Sequence, residues 1–100
     1  MANPMIESMR RGDRDAIMAG LSHPGAIYRM NAVAFSVVTG SADANVVGAI
    51  KRLKTDEAVL DGYTVSDFAI AALSLLGVED YAGENKQIVD LINSRFEFVA

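Results

Sequence analysis

The sequence predicts an all-α fold of about six helices in a single domain over residues 1–100, and three observations carry that expectation. Two segments, Ile27–Thr39 and Val65–Leu76, are apolar almost all the way round, and a helix without a polar face must be enclosed by others. In the segment after Asp43, Val46, Val47, Ile50 and Leu53 share one face, while Lys51, Arg52 and Lys54 fall outside it; this is an amphipathic outer helix. The β-branched residues cluster at helical spacing and no alternating run is bounded by hairpin-type turns, so no strand is expected.

The elements follow in order. Asn3-Pro4 reads as an N-cap followed by proline at the first helical position, and Gly12 ends that short helix. Asp13 caps the next, which carries Ile17, Met18 and Leu21 on one face. His23-Pro24-Gly25 forces a turn before the helix Ile27–Thr39, where only Arg29, Asn31 and Ser36 interrupt the apolar coat. Gly40-Ser41 closes that helix and Asp43 caps the outer one. The turn from Thr55 to Tyr63 has room for a short helical turn at Glu57–Leu60. Thr64-Val65-Ser66-Asp67 resembles a capping box with Asp in place of Glu, and Gly77 suits the position after the helix it opens. The final helix carries Ile88, Leu91, Ile92 and Phe96 along one side.

Composition narrows the class. Apolar residues make up 51% of the chain and charged residues 22%, which excludes wholesale disorder. No apolar run reaches the roughly 18 residues of a membrane span, and no secretion signal is visible at the N-terminus. The chain has no cysteine, which removes disulfides, thiolate metal sites and thiol nucleophiles and fits a reducing cytoplasm. Residues 1–54 carry seven Lys/Arg against four Asp/Glu, a net of +3, whereas residues 55–100 carry two against nine, a net of −7. An acidic half repels phosphate backbones and favours basic partners at encounter; plain solvated helix faces account for it equally well.

Two stretches superimpose on each other. In each, an outer helix ends in leucine (Leu21, Leu53), a turn follows, and an inner helix leads to glycine (Gly40, Gly77). Ala32 and Ala69 occupy the same place in the inner helices, where a small residue lets two helices approach closely, and Val59–Tyr63 is an insertion in the second turn. Paired helices with a period near 40 are the signature of an α-solenoid. On Leu53, Asp56, Ala69, Ala72-Leu73 and Leu76-Gly77, and on Leu21, Tyr28-Arg29-x-x-Ala32 and Gly40, the chain resembles the HEAT-repeat family over about residues 13–77. It departs from that pattern at His23-Pro24, at Ser66 and in the insertion. The resemblance implies a short right-handed stack of antiparallel helical hairpins whose inner helices line a binding face. It also implies a scaffold for protein partners, of the kind found in small bacterial adaptors, inhibitors and immunity proteins.

No residue pattern specifies catalysis or a cofactor. A turn role suits His23, the only histidine, better than ligation. Glu79-Asp80 with Glu84 lacks the alternating oxygen ligands of a calcium loop and reads as solvated charge. Asp61 and Asp67 invite comparison with an acid–base pair, yet Asp67 has a sufficient structural role in a first helical turn. No enzyme, cofactor or metal is therefore expected. The expected partner-binding residues are Tyr28 and Arg29 at the start of one inner helix, and Asp61, Tyr63 and Asp67 around the start of the other. Tyrosine offers a large amphipathic contact at low entropic cost, although Val59 and Tyr63 also suit folding back over the core. The rival expectation is a nucleic-acid phosphate-backbone binder using Arg10, Arg11 and Arg14 with Lys51, Arg52 and Lys54; the net negative charge and the lack of interleaved aromatics weigh against it. The apolar terminal run Phe96–Val99 either caps the stack or buries against a second copy, giving a homodimer.

Overall fold

Local side-chain chemistry sets where the helices begin. The computed structural model describes residues 3–83, 86–94 and 97–98. Asn3 Oδ1 accepts the amides of Met5 and Ile6 at 3.0 and 3.2 Å and opens α1 (Pro4–Arg10). Asp13 Oδ1 does the same for Asp15 and Ala16 at the head of α2 (Arg14–Leu21). Asp43 caps α4 (Ala44–Arg52) through Val46, and Thr64 caps α5 (Val65–Leu75) through the Asp67 amide. Each such cap satisfies an otherwise orphaned donor and is worth about 1 kcal/mol. The inner helices α3 (Ala26–Val38) and α5 end alike. Gly40 and Gly77 take φ of +71° and +72°, and the following amides, of Ser41 and Val78, reach back to the carbonyls of Ser36 and Leu73. The last helix, α6, is Gln87–Asn93.

Packing arranges these helices in layers. Helix α2 lies against α3 and α4 against α5, while α3 lies beside α5 and α2 beside α4. Two helical hairpins thus sit side by side, with α2 and α4 on the outside and α3 and α5 on the inside. Helix α1 covers α2 and α3 at one end, and α6 packs on α5 and α3 at the other. The fold is all-α with six α-helices among the described residues. Every residue from Met30 to Ser36 of α3 is buried, as are Val65, Phe68, Ala69 and Ala71–Leu73 of α5. In α6, Ile88 and Ile92 are fully buried; the expected core role of Phe96 lies outside the described residues.

Small residues set the separation of α2 and α3. A Cβ added at Gly20 would sit 2.8 Å from the Ala32 Cβ and 2.7 Å from the Met9 sulfur. Ala32 therefore does make a close helix approach, against the outer helix of its own hairpin. Gly20→Ala is expected to destabilise the protein by about 1–3 kcal/mol through overpacking, although alanine is the better helix former. Urea unfolding at equilibrium measures it, and a variant as stable as the parent would show that the two helices are not so close.

Among the described residues, the insertion holds the one pair of strands. The sequence predicts no strand and allows a helical turn at Glu57–Leu60; instead β1 (Val59–Leu60) pairs antiparallel with β2 (Tyr63–Thr64). The turn residues Asp61 and Gly62 have φ of +53° and +84°, the two left-handed positions of a type I′ turn, whose twist matches a hairpin. Two residues per strand are too few to display an alternating pattern. Between α4 and this hairpin, Leu53–Thr55 forms one turn of 3₁₀ helix.

Candidate partner-binding surface

The hairpin is braced from beneath by a partly buried ion pair. Arg29, in the first turn of α3, donates through Nε to Asp56 Oδ2 at 2.8 Å, and its Nη1 donates to the carbonyls of His23 and Pro24 at 2.8 and 2.7 Å. Asp56 also accepts the Ala58 amide, and its carbonyl accepts the amide of Ser66 in α5. Arg29 thus ties together the His23-Pro24 turn, the start of α3 and the root of the hairpin. Its side chain is only 14% exposed, which places it under the surface as a strut, with little left to offer a partner. Two residues on which the family resemblance rests, one from each hairpin, face each other here.

The other expected site residues divide by orientation. Tyr28 is half-buried; its hydroxyl accepts from Asn3 Nδ2 at 2.8 Å and its ring lies 4.1 Å from that of His23. His23 Nδ1 accepts the Gly25 amide at 2.9 Å, a turn-stabilising role. Tyr63 turns inward, edge-on to Phe68 and Phe98 with centroids 5.9 and 6.5 Å away. Asp61 is exposed at the tip, and Asp67 is half-exposed in the first turn of α5. Val59 points the opposite way from Tyr63 and is 64% exposed, the most exposed large apolar side chain among the described residues. The insertion follows neither expectation whole: Tyr63, expected at a partner surface, turns towards the core, and Val59, expected to fold back with it, faces out. The structure gathers Arg29, Asp61, Tyr63 and Asp67 around one hairpin, with exposed Glu57 beside it.

The basic faces are partly neutralised. Arg10 makes a two-pronged pair with Glu97, both bonds 2.7 Å; Arg14 pairs with Asp43 at 2.7 Å and with Asp15; Lys54 pairs with Glu79 at 2.8 Å. Among the described residues, Lys51 and Arg52 are exposed and form no ion pair. The Arg10 hydrogen bond, reinforced by its charge and opposed by burial, holds the Glu97 carboxyl below its ordinary pKa. Asp43 is lowered chiefly by Arg14 and then by the Val46 amide. A carboxylate with a folded pKa below its unfolded one stabilises the fold above the unfolded value, and that contribution is lost as pH falls through the folded one. Stability is thus expected to fall below about pH 4.5. Arg10→Gln with Arg14→Gln should flatten that acid limb in urea titrations, and an unchanged limb would remove these pairs as its cause.

Elsewhere, Ser74, Gly77, Val78, Glu79, Asp80 and Tyr81 line an open, polar recess at the end of α5. Among the described residues, no group of three or more His, Asp or Glu gathers as metal ligands, and Glu84 lies outside them. No helix among the described residues is long and apolar enough to cross a membrane.

The sequence reading missed one buried contact altogether. Asn31, fully buried on α3, donates from Nδ2 to the Phe98 carbonyl and accepts the Phe98 amide at Oδ1, both at 2.8 Å. Phe98 is only 3% exposed, and its ring centroid lies 5.5 Å from that of Phe68. Of the terminal run proposed for a dimer contact, Phe98 is thus inside its own chain, and Phe96 and Val99 lie outside the described residues. The available signal was a lone asparagine in an apolar helix, since a buried amide has to find partners.

Fold and surface together define a two-layered helical protein with an acidic hairpin at one edge. The chain matches no family model, no curated protein and no solved structure.

Proposed function

We propose that this chain is a HEAT-like, non-catalytic module that binds another protein through the hairpin Val59–Thr64 and the adjoining starts of α3 and α5. It would serve as an adaptor, an inhibitor or an immunity-type binder. The carrying observation is Val59, 64% exposed on a hairpin held rigid by Arg29 and Asp56 and flanked by the exposed carboxylates of Glu57 and Asp61. Isolated surface valines are common, but this one lies on a short strand that, among the described residues, pairs on one side only, with β2. Leu60 faces Tyr63 and Val65 donates to the Ala58 carbonyl, so Val59 and Thr64 form the wide pair between two hydrogen-bonded ones. The Val59 amide and carbonyl then point away from β2, towards an incoming strand.

The acidic rim favours a basic partner, whose association slows as salt rises. Asp67, at the start of α5, adds to that field. The preformed hairpin leaves little ordering entropy to be lost on binding. A chain without cysteine needs no oxidising compartment, which is consistent with a cytoplasmic partner. The phosphate-binding alternative has less support, because Arg10, Arg14 and Lys54 already face carboxylates.

The test is a double variant, Val59→Ser with Asp61→Asn. Asparagine tolerates the left-handed turn position and both sites are exposed, so stability should stay within about 1 kcal/mol of the parent. Affinity for a partner isolated from the host with the parent chain is expected to drop at least about tenfold, or about 1.4 kcal/mol. Undiminished affinity of the folded variant would refute the hairpin as the binding element. Binding to duplex DNA that weakens steeply with salt would favour the alternative instead.

A further inference from the structure

The residues that hold Glu97 and Phe98 come from four separate elements and converge on a two-residue segment. Arg10 on α1 grips the Glu97 carboxylate with two parallel bonds of 2.7 Å. Asn31 on α3 takes both backbone groups of Phe98 at 2.8 Å. Phe68 on α5 and Tyr63 on β2 form the aromatic walls around the Phe98 ring. For one side-chain amide to meet the N–H and C=O of the same residue, those groups must face the same way, as they do in an extended strand.

Each of these contacts is a way of recognising a linear peptide. The Asn31 amide reads extended backbone whatever its side chains, and the forked guanidinium selects a carboxylate by geometry. The aromatic pocket supplies a desolvated anchor. None of the three depends on how the segment is joined to the rest of the chain. Phe98 takes up both ends of the Asn31 amide, and a fully buried amide in a helix of apolar neighbours is costly unless its partners are present.

We infer that this slot is a second protein-interaction site, one that accepts an extended segment of a partner in which a carboxylate residue directly precedes an aromatic one. The chain's own Glu97-Phe98 is its resident occupant and competitor. The site is separate from the hairpin edge and does not rely on the role proposed for Val59. A tethered occupant has an effective concentration in the millimolar range, so a foreign segment binds the parent weakly until the resident one is loosened.

The experiment uses the full-length chain and a synthetic peptide copying residues 93–100, Asn-Ser-Arg-Phe-Glu-Phe-Val-Ala. Glu97→Lys repels Arg10 and loosens the resident segment without emptying the pocket; Phe98→Ala empties it. The peptide is expected to bind Glu97→Lys at least about tenfold tighter than the parent, and to raise the melting temperature of Phe98→Ala. Peptides with Lys in place of its Glu, or Ala in place of its final Phe, should lose that binding. Charge exchange gives the sharpest readout: Arg10→Glu combined with Glu97→Lys should prefer the Lys-substituted peptide over the original. The double substitution Val59→Ser with Asp61→Asn should leave peptide binding unchanged, so failure of the hairpin proposal and failure of this one are told apart. Equal binding of the peptide by Glu97→Lys and the parent, or indifference to the peptide's Glu and final Phe, would overturn the proposal. Sedimentation showing parent dimers that the peptide dissociates would assign the slot to a second copy and overturn it too.

Discussion

Replacing Phe68 by alanine is expected to remove about 3–5 kcal/mol of stability, the largest effect of any single substitution considered. The ring is 1% exposed in α5 and meets Tyr63 on one side and Phe98 on another. Truncation loses the transfer free energy of the ring and leaves a cavity that its neighbours cannot collapse into, because each is fixed from behind. Tyr63 is held by the hairpin pairing and Phe98 by Asn31. In a chain of this length, such a loss lowers the melting temperature by more than about 12 °C, read by circular dichroism. A fall equivalent to less than about 1 kcal/mol would mean that the ring is not in the core. Val59→Ala, on the outer face of the hairpin, should change stability by no more than about 0.5 kcal/mol.

Asn31→Leu is expected to cost about 2–4 kcal/mol, although leucine matches asparagine in shape and is far more apolar. Area alone would favour the leucine, since a buried apolar side chain gains about 1.5–3 kcal/mol over an exposed one. The opposing effect is larger. Leucine strips the Phe98 amide and carbonyl of their bonds to Asn31 inside the core, and each buried group left unsatisfied costs about 1–3 kcal/mol. Lifting the terminal segment into water limits that cost to the free energy of opening the slot. Urea unfolding decides the sign, and a stabilised leucine variant would show that the amide clamp is not formed. In either case Phe98→Ala should add little to Asn31→Leu, because the two act through the same contact.

What was legible in the sequence was governed by short-range chemistry. Asn3, Asp13, Asp43 and Thr64 are recognisable as caps because a cap involves residues two or three apart. The enclosed helices α3 and α5 were legible because an apolar coat has no other stable use in water. The hairpin was not, although Asp61-Gly62 is a hairpin turn in composition, because its strands are two residues long and leave no alternation to detect. The sequence suggests a surface contact for Arg29, whereas the structure makes it a strut; its partner Asp56 is 27 positions away, and sequence spacing says nothing about such a pair. In the sequence Asn31 is only an interruption of the coat. Its partner lies 67 residues further on, in a segment with no helical pattern to announce where it docks.

Amide hydrogen exchange followed by NMR is the most direct measurement of the central claim, that α3 and α5 are enclosed and that the terminal segment closes over them. The amides of Met30–Ser36 and Phe68–Leu73 should exchange only through global unfolding, at the lowest rates in the protein. The Phe98 amide should also be protected, but through a smaller opening, faster than α3 and far slower than the exposed amides of Asp61 and Gly62. Rapid exchange along either inner helix, or a Phe98 amide that exchanges like the hairpin tip, would contradict the account.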